Sequence, residues 1–189
     1  MLLRLDDLQR RVTRTSGVRP RSIGERPLSQ SRIERNGVPV GTLAPSFRLP
    51  TVDGGELAID AYQGRRSLLV FSDPDCGPCA ELGPRLAALH HARVEGCTGA
   101  LMMIGRGDLE ENRRKAAEHG IEFPVAVQRR WEISRAYGIF ATPVAFVIGP
   151  DGRTEGPVIR GVNDVLEAAR EVLDTTCEEA APWPAGSTT

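Results

Sequence analysis

Lysine is almost missing from this 189-residue chain: Lys115 stands alone beside 23 arginines. An excess of one charge is missing too. The 24 Lys and Arg residues meet 25 Asp and Glu, a net charge of −1, so no overall basic field gathers nucleic acid, and that class of partner is set aside. Nor is there a long apolar run near the start. Leu2, Leu5, Leu8 and Val12 form a short stripe, but Arg4, Asp6, Asp7, Arg10 and Arg11 interrupt it. That leaves neither an export-type core of about seven apolar residues nor a spanning helix. Aromatic residues are few, at 5%, while 40% hydrophobic and 26% charged residues are ordinary for a globular protein and exclude a collagenous, wholly disordered or multi-span chain.

What remains is one domain of roughly 100–150 residues with extensions. Charge marks the divisions: residues 1–39 carry net +5, residues 40–175 net −4, and the end, with Glu178 and Glu179, net −2. We read 1–39 as a mobile Arg-rich arm, 40–175 as the folded domain, and 176–189 as an acidic, Pro-containing tail. No internal repeat is visible.

Within the domain, Val40 to Pro50, the Gly54-Gly55 turn and the alternating Leu57 and Ile59 predict an opening β-hairpin or extended lead-in. Ser67–Phe71 is a continuous apolar run of strand length, fit for a centre strand buried on both faces. Leu82, Leu86 and Leu89 recur at helical spacing over 80–92, with Pro84 expected to kink the helix. Ala100–Ile104 is the next strand. Asp108 and Glu111 form a capping-box-like start to a helix over 108–119, with Glu110/Arg114 and Glu111/Lys115 spaced for i,i+4 pairs and Gly120 ending it. A short helix around Trp131–Tyr137, a strand at Pro143–Ile148, a Pro150-Asp-Gly152 turn, a strand at Val158–Arg160 and a helix over 163–173 complete the order β-α-β-α-(α)-β-β-α. Such alternation followed by a hairpin predicts an α/β fold with a mixed central sheet flanked by helices.

Cys76-Gly77-Pro78-Cys79 falls at the junction of the first core strand and the first long helix. Cys76 sits at the helix N-terminus, where backbone N–H groups and the helix dipole stabilise a thiolate, while Cys79 falls inside the helix. A mixed disulfide on Cys76 can then be resolved by Cys79. Two other readings stand beside this one. Half of a zinc site would require two more Cys or His at knuckle spacing, and His90 and His91 read instead as helix-end residues. A purely structural disulfide fits poorly with Gly-Pro at a helix start. Pro143 opens a core strand after Thr142, a place for either a cis bond or an ordinary strand-start proline.

Over residues 40–175 the chain resembles the thioredoxin fold, on the strength of Cys76–Cys79 at a strand-to-helix junction, Thr142-Pro143 before a strand, and the Gly-Pro-Asp-Gly turn at 149–152. The lead-in Gly41–Phe47 and the extra strand-helix unit before Thr142 are similar to the TlpA/ResA-like redoxins. The stretch Phe71–Cys79 looks most like the MauD-type maturation proteins of methylamine dehydrogenase. The resemblance implies that Pro143 is cis and packs on the cysteine pair, and that the Thr142 backbone hydrogen-bonds an incoming peptide, with Gly77 and Pro78 on the same groove.

Some positions depart from that pattern. Val70 stands where thioredoxins place a buried Asp, Asp75 where they place an aromatic, and Leu82 where many TlpA/ResA-like proteins place a Glu. Asp73, Asp75 and Glu81 are the nearby candidates for a proton relay through water, and each also reads as a solvated loop or helix-start charge. Acids so close to Cys76 raise its pKa, against the dipole. Cys97 reads as a small buried apolar residue in a turn. Cys177 reads as exposed in the tail, with a resolving role as the alternative.

The function expected is thiol-disulfide exchange in cell redox homeostasis, with Cys76 as nucleophile and Cys79 resolving, and with neither metal nor organic cofactor. The partners expected are a disulfide-bearing protein substrate and an upstream dithiol donor, acting on a monomer. The alternatives are a peroxiredoxin-like antioxidant peroxidase, although Asp73 replaces its peroxide-binding Thr or Ser, and a non-enzymatic docking module. The lack of an export signal suggests the cytoplasm; the resembling family is membrane-anchored and faces the periplasm or cell exterior.

Overall fold

A computed structural model describes residues 36–93 and 98–175. Residues 1–35 of the expected arm, the C-terminal tail, Cys97 and Cys177 lie outside these residues. The chain enters through an antiparallel pair, β1 (Arg48–Pro50) and β2 (Glu56–Ala58), closed over Gly54, whose φ of 92° is one that glycine adopts without strain. A 3-10 turn at Ile59–Tyr62 leads to β3 (Ser67–Ser72), α1 (Gly77–His91), β4 (Ala100–Arg106), α2 (Leu109–Glu118), β5 (Val125–Gln128), α3 (Glu132–Ala136), β6 (Val144–Ile148), β7 (Thr154–Arg160) and α4 (Val162–Thr175).

The five-stranded sheet runs β5-β4-β3-β6-β7, with β3 parallel to β4 and antiparallel to β6. The continuous apolar run of β3 follows from that central place. Leu68 and Val70 face one side, against α1 and α4 residues such as Leu82, Leu86 and Val165. Leu69 and Phe71 face the other, against Phe47 of the lead-in, Tyr137 and Phe146. All four β3 side chains are fully buried, each stabilising the fold by roughly 1.5–3 kcal/mol relative to exposure.

Two details differ from the sequence reading. The strand β5 was not expected; it pairs with β4 from Met103↔Val125 to Arg106↔Gln128 and is bridged by Thr51 of the lead-in opposite Ala126. Around α2 the ion pairs are Arg113–Glu110, Arg114–Glu111, Arg114–Glu118 and Lys115–Glu118, so Glu110 and Glu111 reach partners three residues on instead of the i,i+4 partners expected. Pro84 lies inside α1, which continues past it to His91 as one element. The packed body also takes in Gly37 and Val38, whose amides donate to Gly138 O and Tyr137 O, ahead of residue 40. No described helix is long and apolar enough to cross a membrane.

Candidate active site

Sheet register assembles the site. Because Phe71 of β3 lies opposite Val144 of β6, the loop leaving β3 and the Thr142-Pro143 segment entering β6 meet at one end of the sheet. The parallel neighbour brings its own end there too, since Ser72 pairs with Gly105 and Arg106 follows. This is the carboxyl end of the parallel strands, where open α/β sheets place their ligands.

Cys76 is the N-cap of α1. Its amide donates to Asp73 O at 3.1 Å, and its Sγ accepts from the Cys79 amide at 3.3 Å, so an unsatisfied helix N–H points at the sulfur that would carry negative charge. Pro78 in the first turn has no N–H to satisfy. The Cα atoms of Cys76 and Cys79 lie 5.2 Å apart with their sulfurs paired, within the usual span of a disulfide. The two sulfurs differ in access: Cys76 is half-buried, whereas Cys79, in the first turn of α1, is 4% exposed. The Thr142–Pro143 peptide bond is cis, and Cys76 Sγ is 3.5 Å from Thr142 O, so the reduced thiol can donate to that carbonyl. Gly77 and Pro78 are exposed beside the sulfurs, and Thr142 is half-buried opposite them.

The acids separate into different environments. Asp73 is buried at 8% exposure, accepts the Asp75 amide, and is ion-paired with Arg106, whose guanidinium also lies 5.1 Å from the Trp131 ring centroid. Asp75 is exposed. Glu81 is exposed and accepts from Arg85 at 2.9 Å. Of the three relay candidates, only Asp73 is buried beside the cysteine loop, and it is already held by a cation. Arg106 and Trp131 escaped the sequence reading, because an ion pair spanning 33 residues leaves no local pattern. Among the described residues no cluster of three or more His, Cys, Asp or Glu side chains is placed to hold a metal ion.

Residues 40–155 match the AhpC/TSA family model. The thiol-disulfide oxidoreductase ResA of Geobacillus thermodenitrificans is 29% identical over 124 residues, which span 65% of this chain and 70% of that protein. The methylamine utilization protein MauD of Paracoccus denitrificans is also 29% identical, over 142 residues covering 74% of this chain and 68% of that one. Among solved structures, the thioredoxin domain of a thiol-disulfide oxidoreductase from Bacteroides vulgatus superimposes with a TM-score of 0.63 at 16% identity, covering 72% of this chain and 99% of that domain. The fold is therefore thioredoxin-like, with a mixed central sheet and an N-terminal strand pair.

Proposed function

The chain belongs to the AhpC/TSA family, a thioredoxin-fold redox family, and from that premise we propose that it exchanges a Cys76/Cys79 dithiol or disulfide with partner proteins or small thiols. One observation carries this reading: the accessible sulfur of the pair receives a helix N–H, and the inaccessible one stands a single turn behind it. Cys76 attacks a substrate disulfide and forms a mixed disulfide. Cys79 then attacks Cys76, releasing the reduced substrate and leaving the intramolecular bond. Gly77, Pro78, Thr142 and Pro143 shape the groove in which an extended peptide lies, and the partners are a disulfide-bearing protein and an upstream dithiol that restores the reduced pair. The family also raises peroxide reduction. Here the position of a peroxide-binding hydroxyl is taken by Asp73, whose carboxylate is engaged by Arg106, so peroxide is the weaker substrate.

The test uses the full chain with Cys97 and Cys177 replaced by Ser, since either could rescue resolution. Cys79→Ser should accumulate mixed disulfides with lysate proteins on non-reducing gels, and Cys76→Ser should capture none. Equal capture by both variants would sink the nucleophile and resolver scheme and favour the docking module. Rapid peroxide consumption coupled to a thiol donor would favour the peroxidase.

A further inference from the structure

Resolution at a buried sulfur has a proton to place. Cys79 must lose one before it attacks the mixed disulfide and regain one when the reaction runs in reverse. Val70 of β3 and Leu82 of α1, buried positions where a carboxylate could have stood, are apolar. Asp73 is committed to Arg106, and Glu81 points to Arg85 in solvent.

Behind Cys79, however, lies a cleft of about 30 Å³ whose polar lining includes Asp73, Asn112, Lys115 and His119. A water molecule needs about 10–15 Å³ and two or more polar partners, so this cleft can hold one. His119 caps the C-terminus of α2, and its ring lies against α1 at Gly83, one turn beyond Cys79. A Cβ at residue 83 would collide with His119 Nδ1. Glycine is unfavourable inside a helix; here the missing side chain is what admits the imidazole to the cleft.

The charges around that ring are few. On its own helix, Lys115 is paired with Glu118 at 3.2 Å. The loop before α1 contributes Asp73 in its ion pair, and α1 itself presents only Cys79, Ala80 and Gly83. The strands contribute Ser72, Met103 and Val125, none of them charged. Burial lowers the His119 pKa below the ordinary imidazole value, opposed by Glu118 and assisted by Lys115, so the ring is a free base at neutral pH.

We infer that His119 accepts the proton of Cys79, through water in this cleft, during the exchange proposed above, on which this inference rests. In the oxidative direction the Cys79 thiol gives its proton to the imidazole, and the thiolate attacks Cys76 Sγ. The Cys76–Cys79 bond forms, the substrate sulfur leaves with the electron pair of the broken bond, and the imidazolium returns its proton to solvent. In reverse, a thiolate attacks Cys76, Cys79 leaves as thiolate, and the imidazolium protonates it.

A symmetric aromatic disulfide with a coloured thiolate, dithiobis-nitrobenzoate, separates the steps in the reduced protein lacking Cys97 and Cys177. The first equivalent of colour reports attack by Cys76, and the second reports resolution by Cys79. His119→Gln should leave the first phase unchanged and slow the second by roughly a hundredfold at neutral pH, the low end of general acid–base catalysis. Free imidazole should restore the second phase in His119→Ala in proportion to its unprotonated fraction, which a packing defect would not predict. Second phases equal to that of the parent would overturn the inference while leaving the exchange reading intact; a parent that releases no thiolate would overturn both. Should the variants not fold, the parent's own pH profile decides. A second phase that levels off above about pH 6.5 supports His119, and one that keeps climbing toward the ordinary thiol pKa of about 8.5 overturns it.

Discussion

Arg106 donates through Nε to Asp73 Oδ2 at 2.5 Å, and this bond ties the end of β4 to the loop that carries Cys76. Asp73 in turn holds that loop from both sides, because its carboxylate accepts the Asp75 amide and its backbone oxygen accepts the Cys76 amide. The Trp131 ring, its centroid 5.1 Å from the guanidinium, adds a cation–π contact to the same cation.

Removing the cation should therefore cost both stability and reactivity. Arg106→Gln leaves a buried carboxylate without its charge partner, a change that costs about 3–5 kcal/mol in a fully buried pair. Because the Arg106 side chain is 34% exposed, we expect about 2–3 kcal/mol in denaturant unfolding. The unpaired negative charge also raises the Cys76 pKa and slows its attack at neutral pH. Adding Asp73→Asn should recover most of both losses, and a double variant no better than the single one would refute the coupling.

Stability should fall on mild acidification. Burial lowers the pKa of His90, which packs edge-on against Phe123 at a centroid distance of 5.5 Å, and burial likewise lowers that of His119. Both groups bind protons more readily in the unfolded chain, so unfolding takes up protons near pH 6 and stability rises with pH. Their contribution is complete above the unfolded value of about 6.5 and is lost as pH drops through the lower folded values. Thermal midpoints should decline between about pH 7 and 5.5, and the double variant His90→Gln, His119→Gln should show a flatter profile. An unchanged slope in that variant would assign the effect elsewhere.

The contrast between Cys76 and His119 shows what the sequence could reveal. Cys76 was legible because everything that activates it is local: a strand before, a helix after, and a partner three residues on. The strand β3 was legible because burial on both faces demands an uninterrupted apolar run. By contrast, β5 is four residues long at a sheet edge and owes its existence to pairing with β4 and to the bridge from Thr51, so no periodicity announces it. Arg106 and His119 reach the site through sheet register and through the closeness of α1 to α2 at Gly83, relations between residues more than thirty positions apart. The α2 pairing differs for a smaller reason: long Arg and Glu side chains reach neighbours three or four residues away almost equally well, so spacing alone does not choose between them.

On the opposite face of the sheet, Tyr137 is fully buried among Phe47, Phe71 and Phe146, and its hydroxyl donates to Pro45 O at 3.0 Å. Burial, with Asp60 adding to it, holds the phenol well above its ordinary pKa. Tyr137→Phe keeps the ring packing and removes one bond that pins the lead-in, which should cost about 1 kcal/mol in unfolding free energy. Because this residue lies away from the cysteines, exchange rates should not change. A variant with parental stability but slowed exchange would show that the lead-in reaches the active site.

The last prediction separates the two cysteines by acidity. An N-capping sulfur that accepts the Cys79 amide, at the positive end of a 15-residue helix, is stabilised as a thiolate. Asp73 would oppose this, but its charge is balanced by Arg106. Among the described residues no N–H donates to Cys79 Sγ, and burial in the first turn disfavours its thiolate. In the reduced protein lacking Cys97 and Cys177, substoichiometric iodoacetamide at about pH 6, well below the free-cysteine value of about 8.5, should label Cys76 almost exclusively, as read by peptide mass spectrometry. In Arg106→Gln the Cys76 labelling rate should drop several-fold at that pH and recover as pH rises. Preferential labelling of Cys79 would reverse the assignment of nucleophile and resolver, and with it the direction in which His119 is asked to move its proton.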